Sequence, residues 1–231
     1  MIKIKKLGSF GDISITSFHA AHIVSMGVGG GVFTNNKELA SKVRMYRDWG
    51  RKADTKEQHK HKTLPKDYDP RFIYEKIGYN FQILDLQAAM GRVQLRKAGM
   101  IKRKRKANFD YLVKHLSKLN VGLLMPETIK GADVCWFALP ITYFGGRGEL
   151  VAYLEKNGIE TRSMFAGNIT KHPAYKKSEY RISGELNEAD IILENSFWVG
   201  VHPRMTQEDR EYVVKTFNDF FTSSNINSSD K

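Results

Sequence analysis

The glycine-rich stretch SFHAAHIVSMGVGGGVFTNN, residues 17–36, does most to limit what this chain can fold into. Just before it, GDISITSF (Gly11 to Phe18) alternates and is rich in β-branched residues, as a half-buried strand should be. Within it, GGVFTNN (Gly30 to Asn36) reads as a second strand running into a turn. Glycine inside a strand pattern marks a bulge, or a place where a ligand or another backbone comes close. Asn36 is suited to cap a helix, and KELASKVRMYRDW then sets Leu39, Val43 and Tyr46 along one face.

The alternation of strands and helices continues. A long charged loop, Arg51 to Lys66, leads to NFQILDLQAAMGRVQLRKAGMIKRKRKANFDYLVKHLSKL. There Asp85 is a candidate N-cap, and Ala88, Ala89, Val93, Leu95, Met100, Phe109, Leu112 and Leu116 keep a helical stripe, with a break expected near Gly99. CWFALPITYF (Cys135 to Phe144) and IETRSMF read as strands. GELVAYLEKNG reads as a helix stopped by Gly158, because glycine accepts the positive φ of a helix end. A last helix starts at Thr206 and turns Tyr212, Val213, Val214, Phe217, Phe220 and Phe221 inward. The expected fold class is therefore α/β or α+β layers without internal repeats. Domains are expected at 1–100 and 101–222, with 223–231 a disordered tail.

Charge narrows the partners. A formal net charge of +12 over 231 residues suits an anionic partner. The positive residues concentrate in the 51–66 loop and in KRKRK, Lys102 to Lys106, both read as solvated surface. No zinc-finger spacing, helix-turn-helix pattern or aromatic interleaving accompanies them, so nucleic-acid binding is not expected. A single cysteine, Cys135, excludes an intramolecular disulfide and fits a reducing cytoplasm. No apolar run nears the roughly 20 residues of a membrane helix, and MIKIKK has no apolar region behind it to make a leader. His59 and His61 stand among like charges, with nothing to complete a metal site.

Ser17 ends a predicted strand among small residues, where a backbone and a hydroxyl can approach a phosphate; the plain alternative is a serine at a strand end. His22, five residues on, reads either as a hydrogen-bonded core histidine or as a base. Here the sequence resembles a known family. GSFGDISITSFHAAHIVSMGVGGGVFTNN is similar to the segment around the cofactor lysine of the DegT/StrS sugar aminotransferases, vitamin-B6 enzymes of the aspartate-aminotransferase fold. RDWGR, IGYNFQILDLQAAMGRVQL, RSMFAGNITKHPAY and NSFWVGVHP extend the resemblance from Gly8 to about Phe221. In this segment His22 occupies the lysine position. That is the mark of the sugar 3-dehydratase branch, which includes CDP-4-keto-6-deoxyglucose-3-dehydratase and lipopolysaccharide-biosynthesis dehydratases.

What the resemblance implies can be stated residue by residue. Lysine anchors pyridoxal phosphate covalently through its amine. Imidazole has no such amine, so the cofactor would be pyridoxamine 5′-phosphate or pyridoxal 5′-phosphate held non-covalently, with His22 as catalytic base. Ser17 would bind the cofactor phosphate, and Asn80 would reach it from the neighbouring subunit of a homodimer. The family often has a basic residue two positions later, where this chain has Gln82. Arg162, Phe165 and Asn168 would bind the substrate, a nucleotide-linked 4-keto sugar.

Two departures shape the expectation. The iron–sulfur members carry cysteines after RDWGR, whereas KADTKEQHKHKTLPKDYDP has none, so no cluster is expected. Family members are also close to twice this length. The implied fold is a truncated large domain of the aspartate-aminotransferase type plus a small C-terminal α/β domain. Such a fragment, lacking the residues that stack on and protonate the pyridine ring, would be catalytically impaired alone, with a separately encoded N-terminal half as a possible partner. An aminotransferase relative that lost its lysine and a non-catalytic basic module stand as rival expectations.

Overall fold

The computed structural model describes residues 6–51 and 63–226, which divide into two compact units, Met1–Ala98 and Gly99–Lys231. His59, His61, most of the charged loop and most of the expected tail lie outside the described residues.

In the first unit, β1 (Ser14–Ser17) pairs antiparallel with β2 (Gly30–Phe33), placing Ser17 opposite Gly30. Both strands are shorter than their alternation suggests. After Phe33 the chain leaves the ladder because the Thr34 hydroxyl donates to Asp12 O (2.7 Å) and accepts from Asn36 N (3.1 Å). The glycines serve close approach. A Cβ on Gly30 would lie 2.8 Å from Thr16 O, and one on Gly29, at φ +134°, would lie 2.4 Å from Met26 Cε. Met26 is buried beneath that return. Helix α1 (Lys37–Arg47) begins at Asn36, whose Oδ1 accepts from Glu38 N and Leu39 N at 2.9 and 3.2 Å. Leu39 and Val43 on its expected inner face are half-buried, and Tyr46 is exposed.

Helix α2 (Asp85–Leu116) runs 32 residues without the break expected near Gly99. Asp85 is its first helical residue rather than its cap. Gln87 Oε1 instead accepts from Leu84 N (2.9 Å), the returning half of a capping box.

The second unit is a three-stranded antiparallel sheet in the order β3 (Ala138–Thr142), β5 (Ser196–Gly200), β4 (Thr161–Ser163). Its central strand β5 and the preceding α4 (Asn187–Asn195) have no counterpart among the elements read from the sequence. Helices α3 (Arg147–Lys156) and α5 (Gln207–Ile226) and the last four turns of α2 complete one core. Phe109, Leu112, Leu116, Leu139, Ile141, Leu150, Leu154, Phe197, Val199, Val213, Phe217 and Phe221 are all buried in it. Gly158, at φ +75°, ends α3 as expected. Thr206 caps α5 reciprocally: its Oγ1 accepts from Asp209 N (3.2 Å) while Asp209 Oδ2 accepts from Thr206 N (2.8 Å).

The basic run on α2 is not uniformly solvated surface. Arg105 is buried, and its Nη1 donates to Phe137 O at 2.6 Å. Lys102 pairs with Asp133, and Lys106 with Asp110 (2.7 Å). A helix turning about 100° per residue cannot keep five consecutive side chains on its wet face. No described helix is long and apolar enough to cross a membrane.

Candidate functional site

The loop that leaves β1 holds both Ser17 and His22 near one another. Phe18 N donates to Gly29 O and Met26 N to Phe18 O, each at 2.9 Å, so the loop closes back on the strand that launched it. Ser17 Oγ accepts from His19 N (3.2 Å), and His22 N donates to His19 O (2.9 Å). His22 Nδ1 lies 3.3 Å from the Ser17 carbonyl oxygen. A carbonyl can only accept, so Nδ1 carries the proton in this contact and Nε2 is the basic nitrogen of the neutral ring. Ser17 and His22 are both exposed, and His19 meets His22 edge-on at 5.8 Å between ring centroids. The imidazole is thus neither a core histidine nor hidden behind a strand.

Asn80 belongs to a different construction in the same unit. RDWGR and KIGYNFQ lie far apart in sequence, and backbone hydrogen bonds zip them together. Trp49 N donates to Tyr79 O (2.9 Å), Tyr79 N to Tyr46 O (2.7 Å) and Phe81 N to Arg47 O (3.0 Å), around an Asp48–Asn80 bridge. The two backbones touch at glycines. A Cβ on Gly50 (φ +83°) would sit 1.8 Å from Lys76 O, and one on Gly78 would sit 2.2 Å from Gly50 N. Buried Asp48 locks the clasp from inside. It accepts from Arg47 Nε (2.9 Å) and Nη2 (2.7 Å) and from Gln82 Nε2 (3.0 Å). Arg47 foremost holds that carboxyl below the usual aspartate range, with Gln82 adding to the effect and burial opposing it. Gln82, which stands where the family often has a basic residue, is therefore occupied within the clasp. Asn80 also lines a groove of about 1210 Å³ with Val32, Phe33, Val43 and Phe81; neither Ser17 nor His22 lines it.

Arg162, Phe165 and Asn168 fall in the second unit. Arg162 lies on edge strand β4 opposite Trp198, and its guanidinium bonds Glu160 and Thr161 O (2.9 Å). Phe165 is 79% exposed at φ +48° and leans edge-on against Trp198 (4.8 Å between centroids). Positive φ on a bulky residue costs of order 1–3 kcal/mol and persists only where the surroundings impose it. The Phe165 amide donates to Ser163 O at 2.7 Å, and two residues on Gly167 packs so closely that a Cβ there would lie 2.6 Å from Leu193 Cα. Asn168 is buried. Its Oδ1 accepts from Thr170 N (3.1 Å) and Thr170 Oγ1 (2.6 Å), and its Nδ2 donates to Asp190 Oδ1 (2.6 Å). Asp190 in turn pairs with Lys171 at 2.8 Å, which lowers the carboxyl's pKa and raises the amine's. Asn168 thus holds the turn rather than presenting a free amide. Asp48, Lys171 and Asp190 were not foreseen from the sequence, where each is one charged residue among many.

The DegT/DnrJ/EryC1/StrS aminotransferase family matches residues 2–218. This chain belongs to that family. It is 38% identical over 229 residues to the lipopolysaccharide biosynthesis protein RfbH of Salmonella typhimurium, covering 93% of this chain and 52% of that protein. It is 37% identical over 231 residues to the dTDP-4-dehydro-2,6-dideoxy-D-glucose 3-dehydratase of Saccharopolyspora spinosa, covering 94% of this chain and 50% of that one. The solved structure of the E. coli GDP-4-keto-6-deoxy-D-mannose-3-dehydratase with bound hydrated PLP superposes with a TM-score of 0.80 at 22% identity. That likeness covers 94% of this chain and 57% of the other, and it shows the shared fold. The chain spans about half the length of the curated relatives it matches.

Proposed function

We propose that this family member is the base-bearing part of a nucleotide-sugar 3-dehydratase of lipopolysaccharide or deoxysugar synthesis, working in the cytoplasm with a non-covalently held B6 cofactor. One observation carries the reading: an exposed imidazole with Nδ1 tied to the Ser17 carbonyl stands in a segment, residues 7–36, that contains no lysine.

The residues present fit such a cofactor. The Ser17 hydroxyl and the amides of a loop opened by Gly27 and Gly29, both at positive φ, suit a phosphate. Pyridoxamine phosphate, when bound, supplies an amine for the sugar's keto carbon and a ring that accepts electrons. His22 supplies the base, taking a proton at Nε2 as the C3 hydroxyl departs. The clasp around Asp48 fixes the backbone of Asn80, so that its amide can reach the phosphate site of a second copy in a dimer. The remaining part of the family fold, in whatever polypeptide it resides, completes the site.

Pyridoxal phosphate followed by borohydride tests the tether. The native chain should yield no covalent adduct between residues 17 and 31, and His22→Lys should gain one at position 22. Failure of His22→Lys to gain that adduct, in a variant with native circular dichroism, would refute the assignment. In the completed dimer, His22→Asn should slow dehydration by on the order of 10²–10⁴-fold while leaving cofactor binding intact.

A further inference from the structure

The loop between β1 and β2 carries a second exposed histidine, His19, three residues before His22. Its ring is bonded in the opposite sense. The Ala21 amide donates to His19 Nδ1 at 3.3 Å, so that nitrogen offers its lone pair and the proton of the neutral ring sits on Nε2. In His22 the order is reversed: Nδ1 donates to the Ser17 carbonyl at 3.3 Å, and the lone pair is at Nε2. One imidazole is thus a donor at Nε2 and its neighbour an acceptor there. The rings meet edge-on, their centroids 5.8 Å apart.

Backbone contacts fix the pair. His19 N donates to Ser17 Oγ (3.2 Å), and His19 O accepts from His22 N (2.9 Å), so one closed turn carries both rings. The loop has few other donors. Residues 17–31 contain no Lys, Arg, Tyr, Trp, Asn or Gln. Their two hydroxyls, on Ser17 and Ser25, already accept from the amides of His19 and Gly27, each at 3.2 Å. His19 Nε2 is the N–H that side chains of this loop offer beside the base.

Elimination of water uses both properties. A base takes a proton from carbon, and the departing oxygen is stabilised by a donor as charge develops on it. We propose that His19 is a catalytic residue of this site, donating a hydrogen bond through Nε2 to the C3 oxygen that leaves. The proposal rests on the dehydratase reading above and adds a residue to it. As the C–H electron pair is released, a double bond forms at C3 and the C3–O pair leaves with oxygen. The proton taken by His22 Nε2 passes to that oxygen, which departs as water. His19 gives a hydrogen bond but no proton, so both rings end as they began.

Nitrogen-15 NMR of the intact chain, without cofactor or substrate and at a pH where both rings are neutral, tests the pairing. His19 should carry its proton on Nε2 and His22 on Nδ1, with His19→Gln and His22→Asn assigning the signals. The same tautomer in both rings would overturn the proposal. In the completed dimer, kinetics are read with the dTDP- and GDP-linked 4-keto sugars of the related dehydratases. His19→Phe keeps a ring but has no N–H, and it should lower kcat about 10²-fold or more while KM and cofactor affinity hold. His19→Gln restores an N–H and should recover about tenfold of that loss. A His19→Phe dimer as fast as the native one, or a His19→Gln dimer no faster than His19→Phe, would remove His19 and leave the dehydratase reading standing. A native dimer that dehydrates neither sugar would sink that reading and this proposal with it.

Discussion

Helix α2 carries apolar residues at helical spacing along its whole length, yet its two halves end differently. Residues 101–116 bury Ile101 and place Phe109, Leu112 and Leu116 in one core with the sheet and α5. None of residues 85–98 is buried, and Leu86 is 72% exposed. The same contrast separates the two units. The second closes a continuous core, whereas among its described residues the first buries only Met26, Ile73, Asp48 and Gly50. A two-stranded ribbon is marginal in water unless something covers it. The first unit is therefore held by local devices, a clasp and caps, and the second by apolar area.

Core substitutions probe this contrast most directly. Phe217→Ala should cost the second unit about 3–5 kcal/mol, the cost of emptying a fully enclosed aromatic site. Leu86→Ala should change stability by less than about 0.5 kcal/mol, as for ordinary surface positions. Chemical denaturation of both variants checks this, and equal losses would break the comparison.

The clasp comes next. Gly50→Ala drives a methyl into Lys76 O at a positive φ, so about 2–3 kcal/mol of local stability should go. Amide exchange at Trp49, Tyr79 and Phe81 should accelerate while that of the β3–β5 ladder stays put. Asp48→Asn should do the same more gently, by about 1–2 kcal/mol. The pH dependence follows in sign. Asp48's folded pKa lies below its unfolded value, so its contribution is whole above the ordinary aspartate range and is lost as pH falls through the folded value. Exchange of those three amides should therefore quicken in acid in the native chain, beyond its intrinsic pH dependence, and lose that extra sensitivity in the Asn variant.

Local signals were legible in the sequence: the Asn36 and Thr206 caps, the Gly158 stop and the glycine return correspond to observed geometry, as does the α5 stripe except at Tyr212, which stands half exposed rather than inward. Strand β5 was hidden because SFWVG is a short apolar run flanked by helix, and periodicity cannot tell such a run from buried helix. The α2 break failed because one glycine costs only about 1 kcal/mol in a helix, too little to outweigh the packing of the turns beyond it. In the site, the family likeness singled out His22, Ser17 and Asn80. Their neighbours stayed unreadable because the Asp48–Gln82 contact joins residues 34 apart, a distance no local pattern encodes.

The smallest expected effect gives the finest test, because it places one chemistry in both units. Asn36 and Thr206 each satisfy backbone amides at a helix start, a service worth about 1 kcal/mol. Helix α5 buries Val213, Phe217 and Phe221, so fraying at Thr206→Ala pulls on the whole core and should lower the second unit's unfolding free energy by that amount. Helix α1 buries nothing, so Asn36→Ala has no cooperative structure to draw on. It should speed exchange at the start of α1, from Glu38 onward, and leave the denaturation midpoint of the second unit unmoved. If Asn36→Ala shifted that midpoint as far as Thr206→Ala does, the two units would unfold as one, and stability would not be confined to the unit with the core.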